Sequence, residues 1–171
     1  VSALKKDHSD SIYAIYAALF SAKLAVESDD LDLAASELNW ALDQKLQTSL
    51  QQLVQLRLAR VEFARGNEGA ALKLLANESG LQKVGFEEAR GDILLSQGDV
   101  DAARVAYQSA FEAALSANMK RPVLEMKLND LAALIGHTPE AVNVPSGSRI
   151  ITTPEPAPAG DGLAGHVGPL P

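Results

Sequence analysis

The residues that could do chemistry in this chain are few: three histidines, a scatter of arginines, 22 carboxylates and no cysteine. Without a thiol there is no disulfide framework, no zinc finger, no iron–sulfur site and no thiol nucleophile. His8, His137 and His166 have no metal-ligand spacing between them and read as solvent-exposed side chains. The chain contains neither a GxSxG elbow nor an HExxH pair, and His8 is the single histidine ahead of the last 36 residues, so the usual nucleophile–base pairs cannot be assembled. Asp29, Asp30 and Asp32 crowd one turn but lack the glycine and the distal bidentate glutamate of a calcium loop; acidic groups there suit the start of a helix. Residues 66–73 carry glycines and Lys73 without the order that cradles a phosphate, and Asn77-Glu78-Ser79 is a three-residue sequon of a kind that arises by chance. Arg57, Arg60, Arg90 and Arg104 sit among apolar helix positions. They are expected to pair with Glu62, Glu87, Glu88 or Asp92, with ligand contact as the alternative. No catalytic residue, metal site or cofactor is assigned.

The elements that would hold these residues are helices. An alanine-rich composition with 5% aromatic and 22% charged residues suits close-packed helices better than a sheet of branched side chains. A length of 171 residues accommodates one ordinary domain. A formal charge of −7 opposes nonspecific attraction to nucleic acid or anionic lipid. The most apolar stretch, from Ile12 to Ala22, is interrupted by Lys23 and is too short to cross a bilayer, so no membrane contact is expected of this chain itself. The opening Val1-Ser2-Ala3-Leu4-Lys5-Lys6 has no apolar core of a signal peptide, and the chain reads as a piece of a longer protein. Seven of the eight prolines and six of the twelve glycines follow Ile135, which divides the chain into a folded body, 1–135, and a Pro/Gly-rich tail, 136–171, expected to be mobile.

Within the body a repeat is visible when the turns are aligned. Asp29-Asp30-Leu31-Asp32-Leu33-Ala34 matches Gly98-Asp99-Val100-Asp101-Ala102-Ala103, and Gly66-Asn67-Glu68-Gly69-Ala70-Ala71 lies between them, at spacings of 37 and 32 residues. Gly66 and Gly98 can close a helix in the left-handed conformation, while Asn67 and Asp99 can cap the next helix through side-chain oxygens. Ala22, Ala59 and Gly91 stand seven positions before the turns, and Ala34, Ala71 and Ala103 five after, so small residues meet where two antiparallel helices approach. Apolar spacing at Ile12, Ile15, Tyr16 and Leu19, at Leu50, Leu53, Val54, Leu58 and Val61, and at Phe86, Ala89, Ile93 and Leu94 supports the same helices. The pattern predicts helices over 9–28, 30–44, 47–65, 67–77, 81–97, 99–117 and 122–135. The fold is thus all-α, a tetratricopeptide-like helical-hairpin solenoid of about three pairs. A capping helix follows, started by Pro122, whose Val123, Met126, Leu128, Leu131 and Leu134 cover the third pair.

Several strings narrow this architecture: Leu56-Arg57-Leu58-Ala59-Arg60-Val61, Arg90-Gly91 with Leu94-Leu95-Ser96, Gly98-Asp99 with Ala103-Arg104, and Met126-Lys127-Leu128-Asn129-Asp130-Leu131. Over about residues 10–134 the chain resembles the ancillary subunit of the bacterial Sec translocon, the YfgM-like family. The resemblance implies a periplasmic repeat domain carried behind a single N-terminal membrane helix at the inner membrane. It also implies association with the translocon channel and with a membrane-anchored periplasmic chaperone, in the handling of exported proteins. The anchor helix is absent from this sequence, and the tail runs beyond the family pattern.

First helices of stacked pairs line a concave surface. In tetratricopeptide register this groove would carry Tyr16, Leu19 and Lys23, then Leu53, Leu56, Arg60 and Phe63, then Glu88, Asp92 and Leu95. The expected function is non-catalytic: a protein-interaction module docking a helix or extended segment of a partner. The alternatives are a scaffold that self-associates as a homo-dimer through repeat ends, and a carboxylate-based hydrolase, which would need two carboxylates facing each other across a cleft.

Overall fold

The computed structural model describes residues 5, 11–76 and 82–134. The three histidines, the Asn77-Glu78-Ser79 sequon, the side chain of Leu134 and the whole of the 136–171 tail lie outside the described residues. The described residues form seven helices and no strand: α1 Ile12–Glu27, α2 Leu31–Leu42, α3 Thr48–Ala64, α4 Glu68–Leu74, α5 Lys83–Ser96, α6 Val100–Ser116 and α7 Pro122–Leu134. Each falls inside a span expected from periodicity, shorter by one to a few residues.

The hairpin turns repeat atom for atom. In the first, the Asp30 amide reaches back to the Ala25 carbonyl at 2.8 Å; Asn67 to Glu62 at 2.8 Å and Asp99 to Leu94 at 3.0 Å do the same in the second and third. This six-residue closure requires a left-handed residue just before the donor. Gly66 (φ 81°) and Gly98 (φ 80°) supply it, and in the first turn the role falls to Asp29 (φ 62°). A fourth such closure ends α6, where Asn118 (φ 52°) precedes the Met119 amide bonded to the Ala114 carbonyl. Asp30 and Asp99 cap their helices as expected, each accepting an amide hydrogen bond at 3.0 Å, from Leu33 and Ala102. Asn67 does not: its amide nitrogen donates to Glu62 Oε2 at 2.6 Å instead, so α4 starts without a side-chain cap.

The small residues do what their positions suggested. Ala22 faces the first hairpin and Ala59 the second, and Ala34, Ala71 and Ala103 are fully buried. Gly91 lies against the ring of Tyr107, so close that a methyl group there would sit 2.5 Å from Cε1. Three apolar clusters run along the stack. The first joins Ile15, Leu19 and Ala22 of α1 to Leu38 of α2 and to Val54, Leu58 and Val61 of α3. The second joins Leu56 and Ala59 of α3 to Ala71, Leu75, Phe86 and Ile93. The third joins Val84 to Ala103, Tyr107, Ala110, Leu124 and Leu131. α3 is therefore apolar on two faces because it serves two clusters, and α5 likewise contributes to two.

The capping helix is present but rotated from its expected register. Leu124 and Leu131 are the fully buried residues and Leu128 packs beside them, whereas Val123 and Met126 are about half exposed. Positions 124, 128 and 131 share one face at helical spacing; 123 and 126 do not share it.

Candidate functional site

The residues expected to line a groove separate into three groups. Tyr16 (56% exposed), Lys23 and Arg60 are open to solvent. Leu53, Phe63 and Leu95 are half-buried, Phe63 leaning on the second cluster and Leu95 on the third. Leu19 and Leu56 are core residues, 7% and 5% exposed, and cannot contact a partner without unpacking α1 from α2 or α3 from α5.

Glu88 and Asp92 are the pair that the fold brings together, and it brings them to α7 in place of a groove. Glu88 is 7% exposed and pairs with Arg121 and, at 3.3 Å, with Lys127. Asp92 receives Lys127 Nζ at 2.6 Å and the Tyr107 hydroxyl at 2.6 Å. Lys127 also lies 5.2 Å from the centre of the Tyr107 ring. Burial first, and then the hydrogen bond to the Asp92 carboxylate, hold the Tyr107 hydroxyl well above its ordinary pKa. Two carboxylates on adjacent turns that share one ammonium form a structural ion cluster, not an acid and a base facing each other across a substrate.

The arginines correct a second expectation. Arg90 alone of the four pairs as foreseen, donating to Glu87 at 2.8 Å and to the Leu75 carbonyl at 2.5 Å. Glu62 is taken by Arg65 at 2.7 Å and by Asn67, and Arg65 also reaches Asp32 at 2.6 Å, tying the first hairpin to the second. Arg57, Arg60 and Arg104 are exposed and make no ion pair among the described residues. Arg57 and Arg60 stand one turn apart on α3, a local positive patch on an acidic chain.

Sequence reasoning missed one face. Ile12, Tyr13, Tyr16, Phe20 and Leu24 of α1 are 44–73% exposed, although periodicity groups Ile12 and Tyr16 with Ile15 and Leu19 in one apolar set. At 100° per residue the five share about a third of the helix circumference, opposite the buried Ala14, Ile15, Ala18, Ala22 and Ala25. The signal was present in the run from Ile12 to Ala22, which holds more apolar residues than one buried face can use.

Comparison with known proteins agrees with this architecture. The family model for the tetratricopeptide repeat-like domain matches residues 1–133. Among curated proteins, the ancillary SecYEG translocon subunit of Aggregatibacter actinomycetemcomitans is 33% identical over 130 residues, covering 74% of this chain and 61% of the relative. The proteins of the same name from Haemophilus influenzae and Escherichia coli are 33% and 32% identical, covering 72% and 68% of this chain and 60% and 58% of their own lengths. The chain thus spans about three fifths of the length of these relatives. With three glycine- or aspartate-closed hairpins, small residues at each crossing and a family match over most of its length, this chain belongs to the tetratricopeptide repeat-like domain family.

Proposed function

We propose that this chain is a non-catalytic docking domain of an ancillary Sec translocon subunit, held at the periplasmic side of the inner membrane by a segment outside this sequence. There it joins the translocon channel to a membrane-anchored periplasmic chaperone. The names of its relatives support the translocon association, and the family supports binding as the mode of action. The periplasmic placement and the chaperone follow from the resemblance set out above. No helix of the described residues is long and apolar enough to cross a membrane.

The observation that carries the docking role is the outer face of α3. Arg57 and Arg60 are exposed without ion pairs among the described residues, beside half-buried Leu53 and Phe63. Free guanidinium groups next to apolar surface suit a partner segment that alternates carboxylates with apolar anchors. Leu56 is no part of this surface, since it fills the second cluster.

The test is capture of channel and chaperone by the full-length, membrane-anchored protein, compared with its Arg57→Glu, Arg60→Glu double variant. Loss of capture at unchanged helical content is the expected result. Capture that survives the double charge reversal removes this face from the reading, and failure of the unaltered protein to retain either partner removes the function.

A further inference from the structure

We propose that the outer face of α1 pairs with a second copy of itself, antiparallel, to make a dimer through the N-terminal end of the stack. The two ends of the described stack differ. At the C-terminal end α7 lays Leu124, Leu128 and Leu131 over the third hairpin. At the N-terminal end the positions of α3 that pack back on the first hairpin, Leu50, Val54, Leu58 and Val61, have counterparts 37 residues earlier in Tyr13, Ala17, Ser21 and Leu24. Tyr13 is 73% exposed and Leu24 48% exposed, so the edge of the α1 face that these two share has the character of an inter-repeat contact without a repeat against it among the described residues.

The face is self-complementary. In an antiparallel pair centred on residue 18, Ile12 meets Leu24, Tyr16 meets Phe20 and Tyr13 meets Lys23, each contact made twice as a two-fold axis requires. Apolar side chains meet apolar ones, and the one lysine meets an aromatic face, a favourable cation–π arrangement. Lys23 and Glu27 are the only charged residues of α1 and already bridge at 3.5 Å, so the net charge of the chain does not act locally against pairing. Scaled by their exposures, and taking ~200 Å² for a large aromatic side chain, the five residues offer about 500 Å² per copy. A pair then buries on the order of 1,000 Å², the lower edge of specific interfaces, where weak and reversible pairing is found. A lipid surface is a poorer match, because interfacial helices carry a strongly basic polar face and α1 has a single lysine.

Sedimentation velocity of the 171-residue chain, from micromolar to several hundred micromolar, should show a reversible monomer–dimer equilibrium. Tyr16→Asp with Phe20→Asp should weaken it by about a hundredfold at unchanged helical content, since both side chains are exposed in the monomer. The register is testable because the chain has no cysteine. Ile12→Cys mixed with Leu24→Cys should form a disulfide. Ile12→Cys alone should not, its two copies lying roughly 18 Å apart along an antiparallel pair. A monomer at every concentration overturns the proposal, as does a disulfide of Ile12→Cys with itself. A monomer that binds anionic vesicles, and loses that binding in the Tyr16→Asp, Phe20→Asp variant, gives the face to lipid and equally overturns it. Translocon capture in the Arg57→Glu, Arg60→Glu variant is read separately, so either idea can fail alone.

Discussion

Replacing Gly91 with alanine adds one methyl group to the middle of α5, and two opposing effects decide the outcome. Helix propensity favours the change by about 1 kcal/mol. Packing opposes it: the new methyl would lie 2.5, 2.6 and 3.0 Å from Cε1, Cδ1 and Cζ of Tyr107. That ring cannot swing aside cheaply, because it is 1% exposed and its hydroxyl is bonded to Asp92. Overpacking of a rigid core side chain costs about 3 kcal/mol at the upper end of its usual range, which leaves a net loss of about 2 kcal/mol. Gly69 is the internal control, since a methyl there meets nothing within 4 Å and its replacement by alanine should be neutral or stabilise by up to about 1 kcal/mol. Urea unfolding followed by circular dichroism measures both. In a Tyr107→Leu background the added penalty of Gly91→Ala should shrink by more than about 1 kcal/mol, a coupling that identifies the ring as its source. A Gly91→Ala protein as stable as the unaltered chain would refute the close-approach account of the third hairpin.

Asp29→Gly should stabilise by about 0.5–1 kcal/mol, because it relieves a left-handed aspartate and removes a negative charge from the C-terminal end of α1; the urea midpoint reports it. Gly98→Ala should cost about 1 kcal/mol by the same measurement, through backbone strain alone, as a methyl there meets open space. Asp99→Ala should cost about 1 kcal/mol through loss of the Ala102 amide bond, with the loss seen as a lower thermal midpoint. Tyr107 is held protonated in the fold above its ordinary pKa, so above pH about 10 the unfolded chain releases a proton that the folded chain keeps, and stability falls as pH rises. Urea midpoints across the alkaline range should show this decline, and Tyr107→Phe should flatten it; an equally steep decline in the variant would count against the assignment.

What could be read from the residues divides along a physical line. Hairpins were legible because their turns are encoded locally: a left-handed residue, a capping aspartate and small residues at fixed offsets are all set within a dozen positions. Asp29 stood in alignment with Gly66 and Gly98, and the chain adopts the same backbone there at the cost of some strain. The pairing of Glu88 and Asp92 is not legible in the sequence, since their partners Arg121 and Lys127 lie more than thirty residues away. The register of α7 was missed for another reason. Val123, Leu124, Met126, Leu128 and Leu131 are apolar on more than one side, so periodicity identifies the helix without choosing its buried face.

The same distinction separates Glu88 and Asp92 of α5, which pair with residues more than thirty positions on, from Lys23 of α1 and Arg60 of α3, which do not among the described residues. Tetratricopeptide register places Lys23, Arg60 and Asp92 at equivalent positions of successive first helices, and among the described residues only the third pairs with a further helix. Lys127 of that helix and Arg121 just ahead of it answer the carboxylates of α5, so charge and apolar burial fasten α7 together. Lys23 makes only an exposed bridge to Glu27 on its own helix, and Arg60 makes none among the described residues. An exposed bridge of this kind is worth at most about 0.5 kcal/mol and is easily exchanged for a partner's carboxylate. Among these three equivalent positions, the accessible cations thus sit on α1 and α3, while the carboxylate of α5 is engaged by α7.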